Sequence, residues 1–455
     1  MDLLNKQLVK VVSYPEKVLQ FGTGVLLRGL PDYFIEKANR AGLFGGSIVA
    51  IKSTDSGGAE KFDRQQGLYT LHVKGLEKGA EVQETWLVSA ISRVLSAANE
   101  WESIMDCARN PEMEVVISNT TEVGIVLDEQ DKLFASPPLS FPGKLTAWLY
   151  ERFRVFGGAA DKGMVILPTE LIDRNGDVLR DIVVALADRH RLGAGFIDWV
   201  RAANHFCNTL VDRIVPGSLG AAELEQAERE LGYRDELAIM AEPFCLWAIE
   251  APSPRVSEVL SFARADSRVA ITPDIQKFKE LKLRLLNGSH TFSCGLALCC
   301  GFETVKEAMG NPAFLDYVRR LMQEEIVPTL AEVGISDEEA TAFAESVIDR
   351  FGNPYLHHRW LSISTNYSTK MQMRNMATLK RYVKRFGTVP QHMALGFAGY
   401  LRAMGNVPSE RSFADWQQDL EPLDGFREAV QYYVDRLQKQ PAVEVLDQGY
   451  FSGKA

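Results

Sequence analysis

Val18-Leu-Gln-Phe-Gly22-Thr-Gly24-Val-Leu-Leu-Arg28 is the stretch that decides the fold class. A short apolar run breaks at a glycine turn, and helix-like apolar spacing resumes directly after it. A strand that turns through G-x-G into a helix opens a dinucleotide-binding βαβ unit. The first glycine permits the tight turn, the second lets backbone approach a pyrophosphate, and the helix N-terminus faces the anion. The third glycine of that fingerprint is missing: Leu27 stands there, and Gly29 follows two positions later. G-x-G alone also fits an ordinary strand–helix turn, so the surrounding chain has to decide.

Downstream, residues 17–21, 47–51, 114–118 and 163–167 are short runs rich in Val, Ile and Leu. Runs of this kind are expected of parallel strands buried on both faces. Amphipathic segments lie between them, including 29–41 and 144–155, and the βαβ alternation predicts a doubly wound sheet. The pattern changes after Ala251-Pro-Ser-Pro254 and Ile271-Thr-Pro273. Beyond that point helical spacing dominates, over 276–302, 312–333, 337–351, 368–386, 390–403 and 425–438. We therefore expect an α/β domain over 1–270 and a mainly α-helical domain over 271–455.

With 455 residues, two or three domains are the natural expectation. The composition, 46% hydrophobic and 24% charged, is that of a globular protein. A net charge of −10 argues against a general nucleic-acid binder, which would show a basic footprint. The 6 cysteines contain no C-x2-C pair, which argues against structural zinc and against a disulfide framework. The beginning of the chain shows no apolar signal-peptide core, and no uncharged apolar run approaches the roughly 20 residues that span a bilayer. A cytoplasmic protein is expected, with no membrane partner.

Lys282-Leu-Arg-Leu-Leu-Asn287-Gly-Ser-His290 carries the chemistry. At about 100° per residue, Lys282, Asn287 and His290 fall within an arc of roughly 140° on a helix. An amine, an amide and an imidazole on one face can move a proton to or from an oxygen while holding that oxygen in place. Taken singly, each has a plainer explanation: a snorkelling lysine, a helix C-cap before Gly288, a satisfied core histidine. Arg284 indicates that one side of this helix is wet. At the nucleotide end, Arg28 is placed to meet phosphate. Asp55 would suit the ribose hydroxyl of NAD, whereas Lys52 would suit the 2′-phosphate of NADP, and the choice stays open. Asn119-Thr120-Thr-Glu122 follows the third buried run, where open sheets bind ligands or where a helix cap would stand.

Lys282…Asn287…His290 resembles the K-x4-N-x2-H signature of the long-chain, metal-independent polyol dehydrogenases, the mannitol dehydrogenase family. Gly22-Thr23-Gly24-x3-Arg28 and Asn208-Thr-Leu-Val-Asp212-Arg213-Ile match it as well. The runs Gln66-Gly-Leu-Tyr-Thr70, Glu170-Leu-Ile-Asp173 and Leu286-Asn-Gly-Ser-His-Thr291 are similar to the branch that interconverts a ketonic hexuronate and its aldonate. The resemblance implies a Rossmann-like N-terminal domain, a helical C-terminal domain and an active site in the cleft between them. It also implies NAD as cofactor with no catalytic metal, and a small-molecule hexuronate or aldonate substrate. Residue by residue, it implies Lys282 as general acid/base, Asn208 and Asn287 polarising the reacting oxygen, and His290 orienting substrate. A carboxylate substrate asks for a cation, and Lys370 and Arg374, four apart, would share a helix face; Arg359 and His358 are weaker candidates. Sister activities on the same scaffold (fructuronate reduction, oxidation of mannitol or another polyol) are the nearest alternatives. A dinucleotide-sensing protein without turnover and an oligomerisation role for the helical half are the others.

Overall fold

The computed structural model describes residues 1–53, 59–120, 124–404, 407, 409–423 and 425–447. It divides into two compact units, Met1–Lys74 with Gln83–Ile275 and Gly75–Val82 with Gln276–Ala455.

In the first unit, six strands form one parallel sheet: β1 (Glu16–Phe21), β2 (Ser47–Lys52), β3 (Ile91–Ser96), β4 (Val115–Ser118), β5 (Val165–Pro168) and β6 (His205–Phe206). Their spatial order is β3-β2-β1-β4-β5-β6. That is the doubly wound dinucleotide-binding order, with its reversal between β1 and β4, so the ligand crevice is expected at the carboxyl ends of these two strands. The burial explains the apolar runs. Val18, Ile48, Ala50, Val115, Ile117, Val165 and Leu167 pack into one core. Leu19, Phe21, Val49, Ile51, Val116 and Ile166 pack into another on the opposite face. Strand side chains alternate faces, so two covered faces require every position to be apolar.

The expected helix over 29–41 is two helices, α1 (Val25–Gly29) and α2 (Pro31–Arg40), broken at Leu30 where φ is −134°. Pro31 cannot continue an incoming helix but suits the first turn of a new one. Gly29 sits where a Cβ would lie 2.8 Å from Val215. Gly29 therefore permits the close packing of α1 against Val215. The segment expected as a helix from 144 begins earlier, as α3 (Phe141–Val155), capped by the Ser140 hydroxyl on the Gly143 N–H.

The second unit is helical, as expected, but three of its long helices are not continuous α-helix. The segments Lys282–Gly288, Leu321–Ile326 and Met371–Asn375 are π-helical, with i→i+5 bonding. The central helices α4 (Ser289–Cys299) and α5 (Gln391–Met404) approach until backbone meets backbone: a Cβ on Gly295 would lie 2.5 Å from the Tyr400 nitrogen, and one on Gly399 2.7 Å from the Leu296 nitrogen. Glycine is required there by contact, not by conformation. Residues 75–82, the tip of a hairpin formed by Tyr69–Glu77 and Ala80–Val88, count with this unit, which a single cut near 270 does not capture. Within it the Gly79 N–H donates to Asp349 at 3.1 Å, and the Tyr355 hydroxyl donates to the Glu81 carboxylate. No helix among the described residues is long and apolar enough to cross a membrane.

Beneath the glycine turn, Asp32 is fully buried beside Gln20 and Tyr69. Burial raises its pKa to about 7, opposed by the nearby Arg28 guanidinium. In the unfolded chain the group titrates near its ordinary value of about 3.9. Its stabilising contribution is thus fully present below that value and is lost as pH rises through about 7. Asp32→Asn should flatten this decline, so that thermal unfolding at pH 5 and pH 8 differs less in the variant than in the parent; an unchanged difference would remove Asp32 as its source.

Candidate active site

The first group of candidate residues lines the carboxyl edge of the parallel sheet. The Gly22 N–H donates to the Ile51 carbonyl at 2.9 Å, closing β1 onto β2. Gly22 has φ +130°, and a Cβ there would lie 2.8 Å from Leu27 and 3.0 Å from the Asn119 carbonyl oxygen. Gly24 differs: it caps α1, is exposed, and a Cβ on it would meet nothing within 4 Å. Gly22 is therefore held by the fold, while Gly24 opens onto free space at the strand-order reversal. Alongside, a cleft of about 590 Å³ runs from Ser53 at the end of β2 and Thr120 at the end of β4 to Leu127, Phe141 and Lys144. Open backbone and an adjacent cleft at this point fit a dinucleotide.

Other nucleotide-end candidates have internal work. Asn119 donates its amide to Thr169, through the carbonyl at 3.2 Å and the hydroxyl at 2.9 Å. Thr120 gives its N–H and hydroxyl to Glu170 at 3.0 and 3.1 Å, and Ser118 gives its hydroxyl to the other Glu170 oxygen. Burial raises the Glu170 carboxyl, against these bonds. Arg28, expected to meet phosphate, is buried at 8% exposure. Its guanidinium donates to the carbonyls of Leu237 at 2.6 Å and Thr23 at 3.3 Å and lies over the Tyr69 ring. This geometry corrects the reading of Arg28: it braces the turn from behind. The i+4 spacing after Gly24 could not distinguish the two roles. Asp55 lies outside the described residues.

Asn208, expected to polarise the reacting oxygen, stands just past β6. Its amide donates to Asp177 at 3.0 Å and Glu250 at 3.1 Å, and its carbonyl accepts from the Asp177 N–H at 3.1 Å. Both amide hydrogens are committed. Sequence reasoning missed Asn175, whose buried side chain donates to the carbonyls of Pro168, Glu170 and Thr209 and accepts from the N–H groups of Gly176 and Thr209. It locks the loop after β5 in place; nothing in the local sequence announces it.

The second group lies in the helical unit. Lys282 and Asn287 are half-buried residues of the π segment Lys282–Gly288. Five apart on an α-helix, they would diverge by about 140°. Under i→i+5 bonding they stand about one turn apart, as i and i+4 do on an α-helix, which brings them closer around the axis. The Asn287 side chain has no hydrogen-bond partner among the described residues, while its carbonyl accepts from the Thr291 hydroxyl at 2.8 Å. His290 is buried, stacked on Phe351 with centroids 3.9 Å apart and planes 9° apart, and meets His358 and Trp360 edge-on. Its Nε2 is a buried polar atom without a partner. Burial, then the positive charge of its neighbours including Arg374 and Lys370, pushes its pKa well below the usual value, so the ring is neutral at pH 7.

Lys370 directly precedes the π segment Met371–Asn375, and Arg374 lies within it. Lys370 donates to the Ile363 carbonyl at 2.8 Å, and Arg374 to the Thr291 hydroxyl at 3.3 Å. Burial lowers both pKa values, and Arg374 lowers that of Lys370 further. Asn375 donates to the Gly288 carbonyl at 3.2 Å, tying this segment to the one that carries Lys282. The structure thus brings Lys370 and Arg374 onto the elements around Asn287 and His290. Arg359 is exposed, within 4.0 Å of the Glu303 carboxylate. Arg284 is not on a wet face: it is 6% exposed and fully engaged, which corrects the expectation. Among the described residues there is no cluster of metal-ligating side chains.

Comparison with known proteins covers both units. Residues 16–259 match the mannitol dehydrogenase Rossmann domain, and residues 274–431 the mannitol dehydrogenase C-terminal domain. The altronate oxidoreductase of Bacillus subtilis (strain 168) is 39% identical over 88% of this chain and 82% of its own length. That of Escherichia coli O1:K1 / APEC is 36% identical over 96% of this chain and 89% of its own. A D-sorbitol dehydrogenase crystallised in substrate-free form shares the fold with a TM-score of 0.80 at 19% identity, covering 98% of this chain and 100% of that one. Mannitol 2-dehydrogenase of Pseudomonas fluorescens, solved with NAD and D-mannitol, shares it with a TM-score of 0.69 at 23% identity over 98% and 99% of the two chains.

The two glycines of the turn should separate in mutation. Gly24→Ala should fold with unchanged melting and weaken dinucleotide binding by about tenfold, because only a bound phosphate would meet the new methyl. Gly22→Ala should lower stability by about 2 kcal/mol or more, from its positive φ and the contact with Asn119. Calorimetric unfolding with NADH fluorescence titration checks both; a Gly24→Ala protein with unimpaired NADH affinity would move the pyrophosphate elsewhere.

Proposed function

The chain belongs to the mannitol dehydrogenase family of NAD-dependent oxidoreductases, and from that premise we propose that it interconverts D-tagaturonate and D-altronate. The observation that carries the reading is a π turn that holds Lys282 and Asn287 one turn apart and is tied to the segment bearing Lys370 and Arg374. An acid/base and an amide donor suit reduction of a ketone, and the paired cations suit a substrate with a carboxylate. The altronate oxidoreductases at 36–39% identity support the same substrate pair.

The proposed chemistry is hydride transfer at one carbon of the sugar acid. The hydride comes from, or returns to, the nicotinamide when NAD(H) is bound to the first unit; Gly22, Thr23 and Gly24 would hold its pyrophosphate, next to Asn119 and Thr120. In reduction, the Lys282 ammonium gives its proton to the oxygen as the alkoxide forms, and in oxidation the neutral amine takes it back. Asn287 donates its amide to that oxygen and stabilises the developing charge. His290, neutral and with Nε2 unpaired, offers a hydrogen bond to a substrate hydroxyl without adding charge. Asn208 is proposed as a second donor on the strength of the family resemblance, and would have to exchange one of its carboxylate bonds for the substrate. Arg374, with Lys370 beside it, receives the carboxylate, because both have lost solvation that an anion would replace.

Lys282→Ala should lower kcat by about 10²–10⁴, the usual worth of general acid–base catalysis, with NADH affinity intact. Equal loss of both would make the lysine structural. Arg374→Ala should raise KM for the uronate by about 10- to 100-fold, the worth of a charge-assisted hydrogen bond, with kcat less affected; an unchanged KM would exclude Arg374. The substrate itself is tested by NADH absorbance on a panel of altronate, mannonate, tagaturonate, fructuronate and mannitol with both cofactors. Faster turnover of the fructuronate–mannonate pair or of mannitol would overturn the assignment.

A further inference from the structure

We propose that Arg284 is a positioning residue for substrate binding: it clamps the π turn that carries Arg374, directly after Lys370, to the turn that carries Lys282. This rests on the reading of Lys370 and Arg374 as carboxylate ligands and adds how they are held.

The argument starts from backbone bonding. Where a helix steps between i→i+5 and i→i+4 bonding, a carbonyl at the changeover loses its regular partner. At the end of Met371–Asn375, the Arg284 Nη1 donates to the carbonyls of Arg374 at 2.7 Å and Met373 at 3.3 Å. Its other nitrogens are aimed by Glu280, one turn back: Nε donates to one carboxylate oxygen at 3.2 Å and Nη2 to the other at 3.1 Å. Arg381 completes the set by donating to Glu280 at 2.7 Å. Burial pushes the Glu280 carboxyl up, but the bonds from Arg284 and Arg381 outweigh it and hold the group below its usual range. The guanidinium is thus oriented and shielded, and the carbonyl it grips belongs to Arg374 itself.

A second tie runs in the opposite direction. Asn375 donates to the Gly288 carbonyl at 3.2 Å, and a Cβ on Gly288 would lie 3.3 Å from the Asn375 Oδ1. The two π turns therefore hold each other at both ends of the lysine segment, Arg284 near its start and Gly288 at its close. A lysine at 284 has no planar fork with which to satisfy Glu280 and two carbonyls at once. Releasing the clamp would leave Lys370 and Arg374 with their charges intact and their geometry undefined, and misplacement by an ångström is enough to cost a large factor in binding or rate.

The test compares Arg284→Ala, Arg284→Lys and Glu280→Gln with Arg374→Ala in the full-length enzyme, reading KM for the uronate, kcat, NADH affinity and melting temperature. Arg284→Ala should raise uronate KM about tenfold or more, with NADH affinity unchanged. Arg284→Lys should restore only part of the loss. Glu280→Gln, which keeps the shape and removes the charge that aims the guanidinium, should shift KM in the same direction; it carries the test if Arg284→Ala fails to fold. If Arg374→Ala raises KM and neither the Arg284 nor the Glu280 variant does, the clamp is wrong and the carboxylate reading stands. If Arg374→Ala itself leaves KM unchanged, the carboxylate reading falls and the clamp's role with it. Equal loss of uronate and NADH affinity in parallel with melting would make Arg284 a stability residue only.

Discussion

The i→i+5 bonding of Lys282–Gly288 is the constraint on which the chemical half of this protein depends. On a regular α-helix Lys282 and Asn287 would stand about 140° apart, at the two edges of one face. The π turn brings them closer around the axis, inside a helix whose remaining length is anchored. Directly after it, Ser289 donates its hydroxyl back to the Leu285 carbonyl, and Gly295 accepts the backbone of α5 at contact distance. A π turn is intrinsically less favourable than an α turn and persists where surrounding contacts over-determine it. Here those contacts are the paired π turn at Met371–Asn375, the buried Arg284 and the close approach of α4 and α5.

The first unit meets its own constraint differently. A parallel sheet covered on both faces leaves only its ends for ligands, and the reversal of strand order between β1 and β4 opens the carboxyl end. The loops at this edge are stiffened from within. Glu170 gathers Ser118 and Thr120, Asn119 is tied to Thr169, and Asn175 ties the loop at Glu170 to Pro168 and Thr209. Their polar groups satisfy each other, so what remains for a ligand is backbone at Gly24 and the neighbouring cleft. Recognition of a pyrophosphate by backbone needs no cation from Arg28, and the buried position of that side chain agrees with this division of labour.

Much of this was legible in the sequence. Burial on both faces writes itself as continuous Val, Ile and Leu, which is why β1, β2, β4 and β5 were readable. β3 was not, because Arg93 and the serines at 92 and 96 interrupt the apolar run at the sheet edge. The two residues of β6 are too few to show any period. The helical spacing of the second half was equally plain, yet the π turns were invisible, since a single extra residue per turn leaves almost no trace in apolar periodicity. The face shared by Lys282, Asn287 and His290 was therefore inferred from regular α-helix geometry, which the segment Lys282–Gly288 does not have. Arg284 and Arg28 were misread for one common reason. Sequence gives a charge and a spacing, but not whether carbonyl oxygens from distant segments are waiting to receive it.

The electrostatics of the helical unit argue for an anionic ligand independently of any relative. Burial lowers both Lys370 and Arg374, the Arg374 charge lowers Lys370 further, and the positive charge of both helps keep His290 neutral. The one carboxylate that counteracts this at Lys370 is Glu410, whose oxygens already receive the N–H groups of Tyr367 and Ser368. A stable fold gains nothing from two under-solvated cations on neighbouring turns. Arrival of a carboxylate reverses the sign of the interaction: it replaces lost water, relieves the repulsion and favours the charged form of both groups. A neutral His290 then becomes useful, since an imidazolium in the same place would compete for the anion, whereas a neutral ring can hydrogen-bond a hydroxyl and leave the carboxylate to the cations.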